Sequence, residues 1–349
     1  MNTDNLPRRI YSGAYRTPHC QGIAVDLAKG YIYYSFTTML VKTDLAGRFV
    51  GSVKGLTGHL GCIAFHPESG RVYGSLEYKN DVIGRGIARM LGTDQPVSDR
   101  FYVAMFDVDR ITEPDMEAGG IMRASFLRAV TEDYLADVRL GDGRVVKHRF
   151  GCSGIDGCAA APDFGEPAES KNWIFVAYGI YSDISRDDND HQIILKYDPE
   201  RLWEVSEPLD QACPHTTGPD APDSRYFVYT GNTTYGVQNL EYDPATRKFF
   251  LCVYPGKKPG FKNPPLFLAD AAAKPHKGLL RGVVPPTEGE LLSLDAHGTD
   301  GVDFPHGSTG IAALGDGYFY ISHEGAGPDG QYTEVRLWRL KDGKFELPA

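Results

Sequence analysis

The hexapeptide His59-Leu-Gly-Cys-Ile-Ala64 decides the fold, because variants of it begin four other segments of the chain. Each of the five segments is followed by a turn and then by a strand rich in aromatic and β-branched residues. The segments begin at His19, His59, Gly154, Gly236 and Gly307. A motif that recurs in this way indicates one supersecondary unit repeated along the chain. Short strands joined by tight turns are typical of propeller blades. The sequence therefore predicts an all-β, five-bladed β-propeller that forms a single domain over residues 1–349.

The first repeat predicts blades of four antiparallel strands. Its strands are expected at Gln21–Val25, Tyr31–Phe36, Leu40–Thr43 and Arg48–Lys54. In the later repeats the outermost strands are expected at Arg144–Phe150, Arg225–Thr230 and Glu290–Ala296. The uneven spacing of the repeats indicates insertions in the second, third and fourth blades.

A segment that resembles these outer strands, Arg8–Tyr15, precedes the first repeat. We expect it to complete the blade that begins at Gly307, because this closure ties the first blade to the last and protects both sheet edges. Six blades are the alternative, with a degenerate blade hidden within Thr131–Phe150. That stretch lacks the Gly-x-x-Gly-Ile-Ala start, which favours five blades.

Composition narrows the class of protein and its partners. The chain has 349 residues, 42% of them hydrophobic, which is enough for a large core, and no apolar run reaches the length of a membrane span. The formal net charge of −10 argues against nucleic acid and anionic membranes as main partners. The first residues lack the apolar core of a signal peptide, so we expect a cytoplasmic protein, or a secreted one if a signal has been removed.

The six cysteines follow no metal-binding spacing. We expect them to be reduced and to serve as small packing residues, since most of them fall on predicted strands. A disulfide between Cys20 and Cys62, on adjacent blades, is an alternative that the sequence leaves open.

The alignment of the repeats predicts which side chains meet at the centre, because the innermost strand of each blade lines the channel of a propeller. One ring of equivalent positions holds Gln21, Gly61, Asp156, Gln238 and Thr309. The ring two residues earlier holds His19, His59, Gly154, Gly236 and Gly307. Polar side chains on one arc and glycines on the other predict a pocket at one mouth of the channel.

Three histidines fall near this mouth. His19 and His59 occupy equivalent positions in neighbouring blades, and His306 lies one residue short of that position in the blade next to the first. With Asp156 they form a candidate site for a divalent metal such as Ca, Mn or Zn. The same imidazoles could instead act as a general base and as hydrogen-bonding groups for a substrate, or could bond backbone groups between blades.

Carboxylates are the second set of candidate catalytic groups. Glu77 and Glu324 end the second strands of their repeats, and Asp156 is the one acid on the inner rings. Two carboxylates that face a pocket can act as acid and base on a glycosidic bond. A carboxylate in a channel needs hydrogen bonds or a cation, so Asp156 is the first candidate for a catalytic residue.

Residues of the inner strands and of the rim are candidates for substrate binding. They are Gln21, Tyr235, Gln238, Asn239, Ser308, Thr309, Tyr181, Tyr254 and His323. Tyr181 and Tyr254 are expected in loops at the rim, together with Lys257, Lys258 and Lys262. Aromatic rings suit the faces of sugars, although ordinary turn residues would look the same. The insertion Asn80–Arg100 is expected to hold a short helix whose Ile87, Met90 and Leu91 cover the pocket or pack on the blade edge. The acidic stretch Ser182–His191 lacks the EF-hand pattern and is expected to be an unliganded loop.

At the level of architecture the chain resembles the five-bladed propellers, a group that includes glycosidases, a calcium-dependent nucleotidase and a lectin. In the glycosidases an aspartate is typical on the first inner strand, where this chain has Gln21. We expect an enzyme that acts by hydrolysis or elimination on a carbohydrate, such as an oligosaccharide, or on a related hydroxylated small molecule. A non-catalytic propeller that binds sugars or small molecules and a protein-interaction scaffold are the alternatives.

Overall fold

Five β-sheets surround a central channel in the computed structural model, which describes residues 5–93, 98–295 and 301–348. The first strand of each sheet contacts the first strands of its two neighbours, so these inner strands form a closed ring. In blade order they are Cys20–Asp26, His59–His66, Cys152–Ala161, Thr234–Asp243 and Ile311–Gly315. The protein is therefore a five-bladed β-propeller.

Blades 1 and 2 each have four antiparallel strands with one short strand added at the outer edge. Blade 1 contains Cys20–Asp26, Tyr31–Phe36, Met39–Asp44 and Phe49–Lys54, followed by the parallel strand Met116–Glu117. Blade 2 contains His59–His66, Arg71–Tyr78, Arg100–Phe106 and Met122–Phe126, followed by Glu207–Pro208.

The prediction that Arg144–Phe150 forms the outer strand of blade 2 is wrong. Met122–Phe126 takes that position, because its side chains at 122, 124 and 126 are buried in the blade. Val145–Lys147 instead pairs with Asp137–Arg139 in a separate two-stranded hairpin. This hairpin is largely exposed, with Val145 59% exposed, so it could not replace the apolar strand.

Blade 3 is the widest blade and blade 4 the narrowest. Blade 3 contains Cys152–Ala161, Trp173–Ile180, His191–Tyr197, Ser224–Tyr229, Glu288–Leu291 and His276–Leu279. Blade 4 contains Thr234–Asp243, Lys248–Tyr254 and Leu266–Asp270.

The segment Glu290–Ala296, expected as the outer strand of blade 4, is divided between two blades. Glu288–Leu291 pairs in parallel with the outer strand of blade 3, where the missing side chain of Gly289 lets the backbone lie against the ring of Phe227. The next residues reach blade 4 through backbone hydrogen bonds of Ser293 and Asp295. Ala296 lies outside the described residues.

Blade 5 contains strands from both ends of the chain. Its strands are Ile311–Gly315, Tyr318–Gly327 and Gly330–Lys341, and its outer edge carries both Arg9–Tyr11 and Lys344–Glu346. Ile10 is buried in the apolar cluster between blades 5 and 1, beside Tyr34 and Tyr320. The N-terminal strand thus ties the last blade to the first.

The helices are short and lie in the connections. They are Val82–Leu91, Ala118–Ile121, Arg128–Leu135 and Pro199–Glu204, with single 3-10 turns at Val108–Arg110 and Arg149–Gly151. Among the described residues, none of these helices is long and apolar enough to cross a membrane. All six cysteines are free thiols, including Cys20 and Cys62, and only Cys213 is exposed.

Each pair of neighbouring blades encloses one apolar cluster, so the core consists of five clusters around the ring. Large side chains of the second strands dominate them, and Tyr33, Tyr73, Tyr178, Phe249 and Tyr320 are all fully buried. Burial of a large apolar side chain typically stabilises a protein by about 1.5–3 kcal/mol. The stability of each blade therefore depends on its two neighbours.

A β-bulge interrupts the inner strand of four blades within the repeated motif. The register shifts lie between Cys20 and Gly22, Leu60 and Ile63, Ile155 and Cys158, and Val237 and Asn239. A bulge leaves a residue unpaired and redirects its side chain. The bulged residues include Gln21, Gly61, Asp156 and Gln238, which are four of the five residues of the ring expected from the repeat alignment. The fifth, Thr309, precedes the inner strand of blade 5.

Serine hydroxyls from neighbouring blades bind the backbone of these bulges. Ser35 Oγ of blade 1 donates to the carbonyl of Gly61 in blade 2 at 2.6 Å, and Ser75 Oγ of blade 2 donates to the carbonyl of Asp156 in blade 3 at 2.6 Å. Buried carbonyls removed from a strand ladder need such partners. The blade-to-blade contact therefore fixes where each bulged side chain lies.

Glu241 gives a test of the channel interior. It occupies the position at which the other four blades have alanine, and one oxygen accepts a 2.8 Å hydrogen bond from the backbone N–H of Ala313. Burial raises the pKa of Glu241 from an ordinary 4.5 to about 8, although that hydrogen bond opposes the shift. A raised folded-state pKa gives a stabilising contribution that is complete below pH 4.5 and is lost as the pH rises through 8.

We predict that Glu241→Gln flattens the pH dependence of stability between pH 5 and 8 relative to the wild type. Glutamine keeps the oxygen that accepts from Ala313 but does not ionise, so its cost of burial does not grow with pH. Urea denaturation at several pH values measures the slope. Parallel slopes for the two proteins would contradict an ionising Glu241.

Candidate functional site

A cavity of about 340 Å³ lies at the channel mouth where the inner strands begin. Its polar lining residues are His19, Gln21, Thr37, His59, Glu77, Lys79, Ser153, Asp156 and Gln238. Its apolar and aromatic lining residues are Pro18, Ile83, Gly86, Ile87, Met90, Tyr235 and Tyr254. The lining thus combines side chains from blades 1 to 4 with one face of the helix Val82–Leu91, which we call the cavity helix.

His59, Glu77 and Asp156 form a compact cluster in this cavity. His59 Nδ1 lies 3.6 Å from Glu77 Oε1 and 3.8 Å from Asp156 Oδ1, and one ligand atom of each residue lies within 4.8 Å of the others. His59 and Glu77 are cross-strand partners in blade 2, whereas Asp156 comes from the bulge of blade 3. His59 Nδ1 is buried and has no hydrogen-bond partner among the described residues.

Lys79 pairs with the oxygen of Glu77 that also faces His59. Its Nζ forms an ion pair with Glu77, donates a 2.9 Å hydrogen bond to the carbonyl of Ser153, and lies 3.7 Å from Asp81 Oδ2. The second oxygen of Glu77 accepts from the backbone N–H of Ile155 at 3.1 Å. Glu77 is therefore fixed in one orientation with one oxygen facing His59.

Gly154 makes room for this carboxylate. A Cβ atom at that position would come within 2.1 Å of Glu77 Oε2, and the backbone φ of 123° is one that other residues rarely adopt. The glycine of the repeated motif is thus required in blade 3 by a side chain from blade 2.

Burial controls the protonation of the cluster. It lowers the pKa of His59 to about 3, so that imidazole is neutral at pH 7, and it raises the pKa of Glu77. Burial, and then the neighbouring Glu77, raise the pKa of Asp156 well above its ordinary value. Burial lowers the pKa of Lys79, but the nearby carboxylates raise it by more, with Glu77 the largest contributor, so the pKa is raised overall.

The cluster therefore combines one lysine cation and a neutral histidine with several acidic groups. Glu77 has Lys79 as a direct partner, whereas among the described residues the Asp156 carboxylate accepts a single side-chain hydrogen bond, from Gln238 Nε2 at 3.1 Å. A buried carboxylate in this position favours binding a proton or a cation.

Two amide side chains from bulges complete the polar surface. Gln238 Nε2 also donates to the carbonyl of Tyr235 at 2.9 Å. Gln21 Nε2 lies 3.2 Å from both His19 Nε2 and Thr37 Oγ1. Groups of this kind can donate to and accept from the hydroxyls of a ligand.

The structure places His306 and His323 elsewhere. Their rings lie 4.4 Å apart between centroids with their planes tilted by 58°, and Trp338 Nε1 donates to His323 Nε2 at 3.2 Å. The predicted metal set of His19, His59, His306 and Asp156 is therefore not assembled. The inner strand of blade 5 begins only at Ile311, so His306 lies in the preceding loop and packs in an aromatic cluster.

Other predicted site residues make contacts within the fold. Asn239 Nδ2 donates to the carbonyls of Gln21 at 2.8 Å and Ser308 at 2.9 Å, and so joins blade 4 to blade 1 and to the start of blade 5. The hydroxyl of Thr309 lies 3.0 Å from that of Ser322. Tyr181 donates to Asp81 at 3.4 Å outside the cavity lining.

Glu324 is exposed and lies outside the cavity lining, although it was predicted to be catalytic. Of the rim lysines, Lys257 and Lys262 are exposed, and Lys258 is buried with its Nζ 2.7 Å from Asp190 Oδ1. In the acidic stretch Ser182–His191, Asp188 forms a buried ion pair with Arg186 at 2.8 Å.

The sequence analysis did not identify Lys79 or the full extent of the cavity helix. The signal for Lys79 is its place two residues after Glu77, which puts both on the same face of one strand or its extension. The helix begins after the cap Asp81, whose side chain accepts from the Gly84 N–H at 2.9 Å. Its residues Ile83, Ile87 and Met90 line the cavity. Leu91, which was expected to cover the pocket or to pack on the blade edge, is not among the lining residues. Residues 94–97 of the predicted insertion lie outside the described residues.

Comparisons with known proteins give distant likenesses only. No family model and no curated protein match the chain. Among solved structures, a GH43 beta-1,3-galactosidase with galactodeoxynojirimycin is 12% identical with a TM-score of 0.42, covering 96% of this chain and 97% of that one. A luciferin-regenerating enzyme is 11% identical with a TM-score of 0.36, covering 97% and 95%. A protein of unknown function from Bacteroides caccae is 11% identical with a TM-score of 0.29, covering 82% and 94%. Likenesses at this level carry no argument about the cavity, so its chemistry rests on the geometry above.

We predict that Asp156→Asn leaves the free energy of unfolding at pH 7 unchanged or increases it. Asparagine is close in size, its oxygen still accepts from Gln238, and the cost of a buried carboxylate beside Glu77 disappears. Chemical denaturation measures the change.

Asp133→Asn is the matched control, because Asp133 is equally buried but has strong partners. It accepts from Arg149 at 2.6 Å and Tyr178 at 2.9 Å, and it pairs with Arg225 at 3.0 Å. We expect this control to lose about 2–3 kcal/mol. A comparable loss for Asp156→Asn would mean that Asp156 has a structural role instead.

Proposed function

We propose that the protein is an enzyme that acts on a small hydroxylated molecule, with carbohydrate as the leading class, by hydrolysis or elimination in the central cavity. The observation that carries this proposal is the His59–Glu77–Asp156 cluster, in which a buried imidazole nitrogen with no hydrogen-bond partner among the described residues faces two carboxylates. Burying incompletely paired polar groups costs folding free energy, and groups with strongly shifted pKa values concentrate at functional sites.

We further propose that His59, Glu77 and Asp156 hold a divalent cation. One neutral imidazole nitrogen and two carboxylate oxygens suit Zn²⁺ or Mn²⁺, and the separations of 3.6 and 3.8 Å from His59 Nδ1 allow all three atoms to reach one ion. A bound cation would polarise a substrate oxygen or lower the pKa of a bound water. Because Lys79 already pairs with Glu77, the cation would depend most on His59 and Asp156.

The remaining residues would bind and orient the substrate. Gln21 and Gln238 offer amide groups to its hydroxyls, and His19 lies beside Gln21 at the same mouth. Tyr235 and Tyr254 add aromatic surface of the kind that packs on sugar faces. Groups held by hydrogen bonds before the substrate arrives lose little freedom on binding.

Proton transfer without a metal is a second candidate mechanism, and the Lys79–Glu77 ion pair favours it. The lysine stabilises the charged form of Glu77, whereas Asp156 is the carboxyl that takes up a proton more easily. Two carboxyls held in different protonation states can serve as general base and general acid. In that case activity would fall at high pH as Asp156 loses its proton.

The test combines metal binding with activity. Isothermal titration with Zn²⁺, Mn²⁺ and Ca²⁺ should give one site on the wild type, and His59→Ala and Asp156→Asn should each weaken it by at least about tenfold. His276→Ala is the matched control, since it removes an exposed imidazole outside the cavity and should leave the site unchanged.

Activity is measured on a panel of 4-nitrophenyl glycosides and on acidic oligosaccharides, whose eliminated products absorb ultraviolet light. Asp156→Asn should abolish turnover under either mechanism. Turnover that needs no metal and survives chelation would select the proton-transfer mechanism. Sugar binding without turnover in the wild type would instead identify a non-catalytic binding protein. If the wild type bound neither a metal nor a sugar, the proposal would be refuted.

A further inference from the structure

Gly86 in the cavity helix is not explained by the fold. Its backbone is helical without a positive φ, and glycine weakens a helix relative to alanine. A Cβ atom at Gly86 would meet no atom of the described residues within 4 Å. Gly84 is different, because a Cβ there would come within 1.7 Å of the carbonyl of Lys79. The fold therefore requires glycine at 84 and does not require it at 86.

Gly86 is exposed and is also one of the lining residues, so part of the open space beside it belongs to the cavity. Ile83, Ile87 and Met90 lie around it at helical spacing and line the same cavity. Met90 is 46% exposed, so about half of this apolar residue is accessible to solvent. The helix thus offers an apolar surface with an opening at its middle.

The rest of the lining is mostly polar or charged, although it also includes Pro18, Tyr235 and Tyr254. His59, Glu77 and Asp156 are held there by the blades, whereas the cavity helix comes from an insertion. A cavity with one mainly polar wall and one apolar wall fits a ligand that has a polar part and an apolar part. A flat ring can approach a helix backbone closely where no side chain intervenes.

We propose that Gly86 keeps open a subsite for an aromatic group, so that the ligand is an aryl-substituted hydroxylated molecule, such as an aryl glycoside. Its hydroxyl-bearing end would reach the His59–Glu77–Asp156 cluster, and its ring would lie over Gly86 between Ile83 and Met90. The assignment of the hydroxyl-bearing end rests on the proposed function, but the aromatic subsite rests on the cavity helix alone.

The experiment compares matched methyl and phenyl glycosides of several sugars by isothermal titration. On the wild type the phenyl member of a pair should bind at least about tenfold more tightly, because its ring buries apolar surface. Gly86→Leu fills the opening and should remove that advantage while leaving methyl glycoside affinity within about twofold. Val82→Leu is the matched control, since Val82 is 80% exposed on the same helix and the change should leave both affinities unaltered.

Two further measurements separate the possible failures. Gly86→Ala should raise the melting temperature, because alanine favours the helix and fits the open space. If no glycoside binds, phenol alone is titrated, and phenol binding that Gly86→Leu abolishes would keep the aromatic subsite while refuting the sugar class. Equal affinities for methyl and phenyl glycosides, or an advantage that survives Gly86→Leu, would overturn the inference and leave the proposed function standing.

Discussion

The structure depends on the close approach of five inner strands around one channel. Bulges in four of these strands turn residues of the motif out of the ladder. The carbonyls freed at Gly61 and Asp156 are taken up by serines of the preceding blade. The contacts that pack neighbouring blades together therefore also fix the positions of the site residues, so a change in one would alter the other.

Buried charge is the main cost that this arrangement carries. Glu77 and Lys79 neutralise one another, but Asp156 lies beside them without a cation of its own among the described residues, and burial raises its pKa well above the ordinary range. Removing ionised groups from water is expensive unless they are fully paired. The apolar clusters between blades supply the stability that lets the channel hold such a group.

The repeat pattern was sufficient to predict five blades and the ring that contains Asp156 and Gln238, because equivalent positions in a repeat occupy equivalent places in space. It failed for His306, since a residue in front of a strand does not share the geometry of one within it. The repeat pattern did not predict the outer strand of blade 2, because an outer strand is selected by the apolar surface it buries and not by the motif. Met122–Phe126 takes this position. The sequence analysis did not single out Lys79, because the carboxylates that surround it are brought together only by the fold.

Gly154 limits how the blades can diverge from one another. Its counterparts in blades 1 and 2 are His19 and His59, so the five motifs offer the same position to different side chains. With Glu77 in the neighbouring blade, any side chain at 154 meets that carboxylate. A histidine at 154 would therefore need both a smaller side chain at 77 and a different backbone conformation at 154, where φ is 123°. The asymmetry of the pocket thus involves two blades at once, because the side chain of one repeat limits which residue the next repeat can hold.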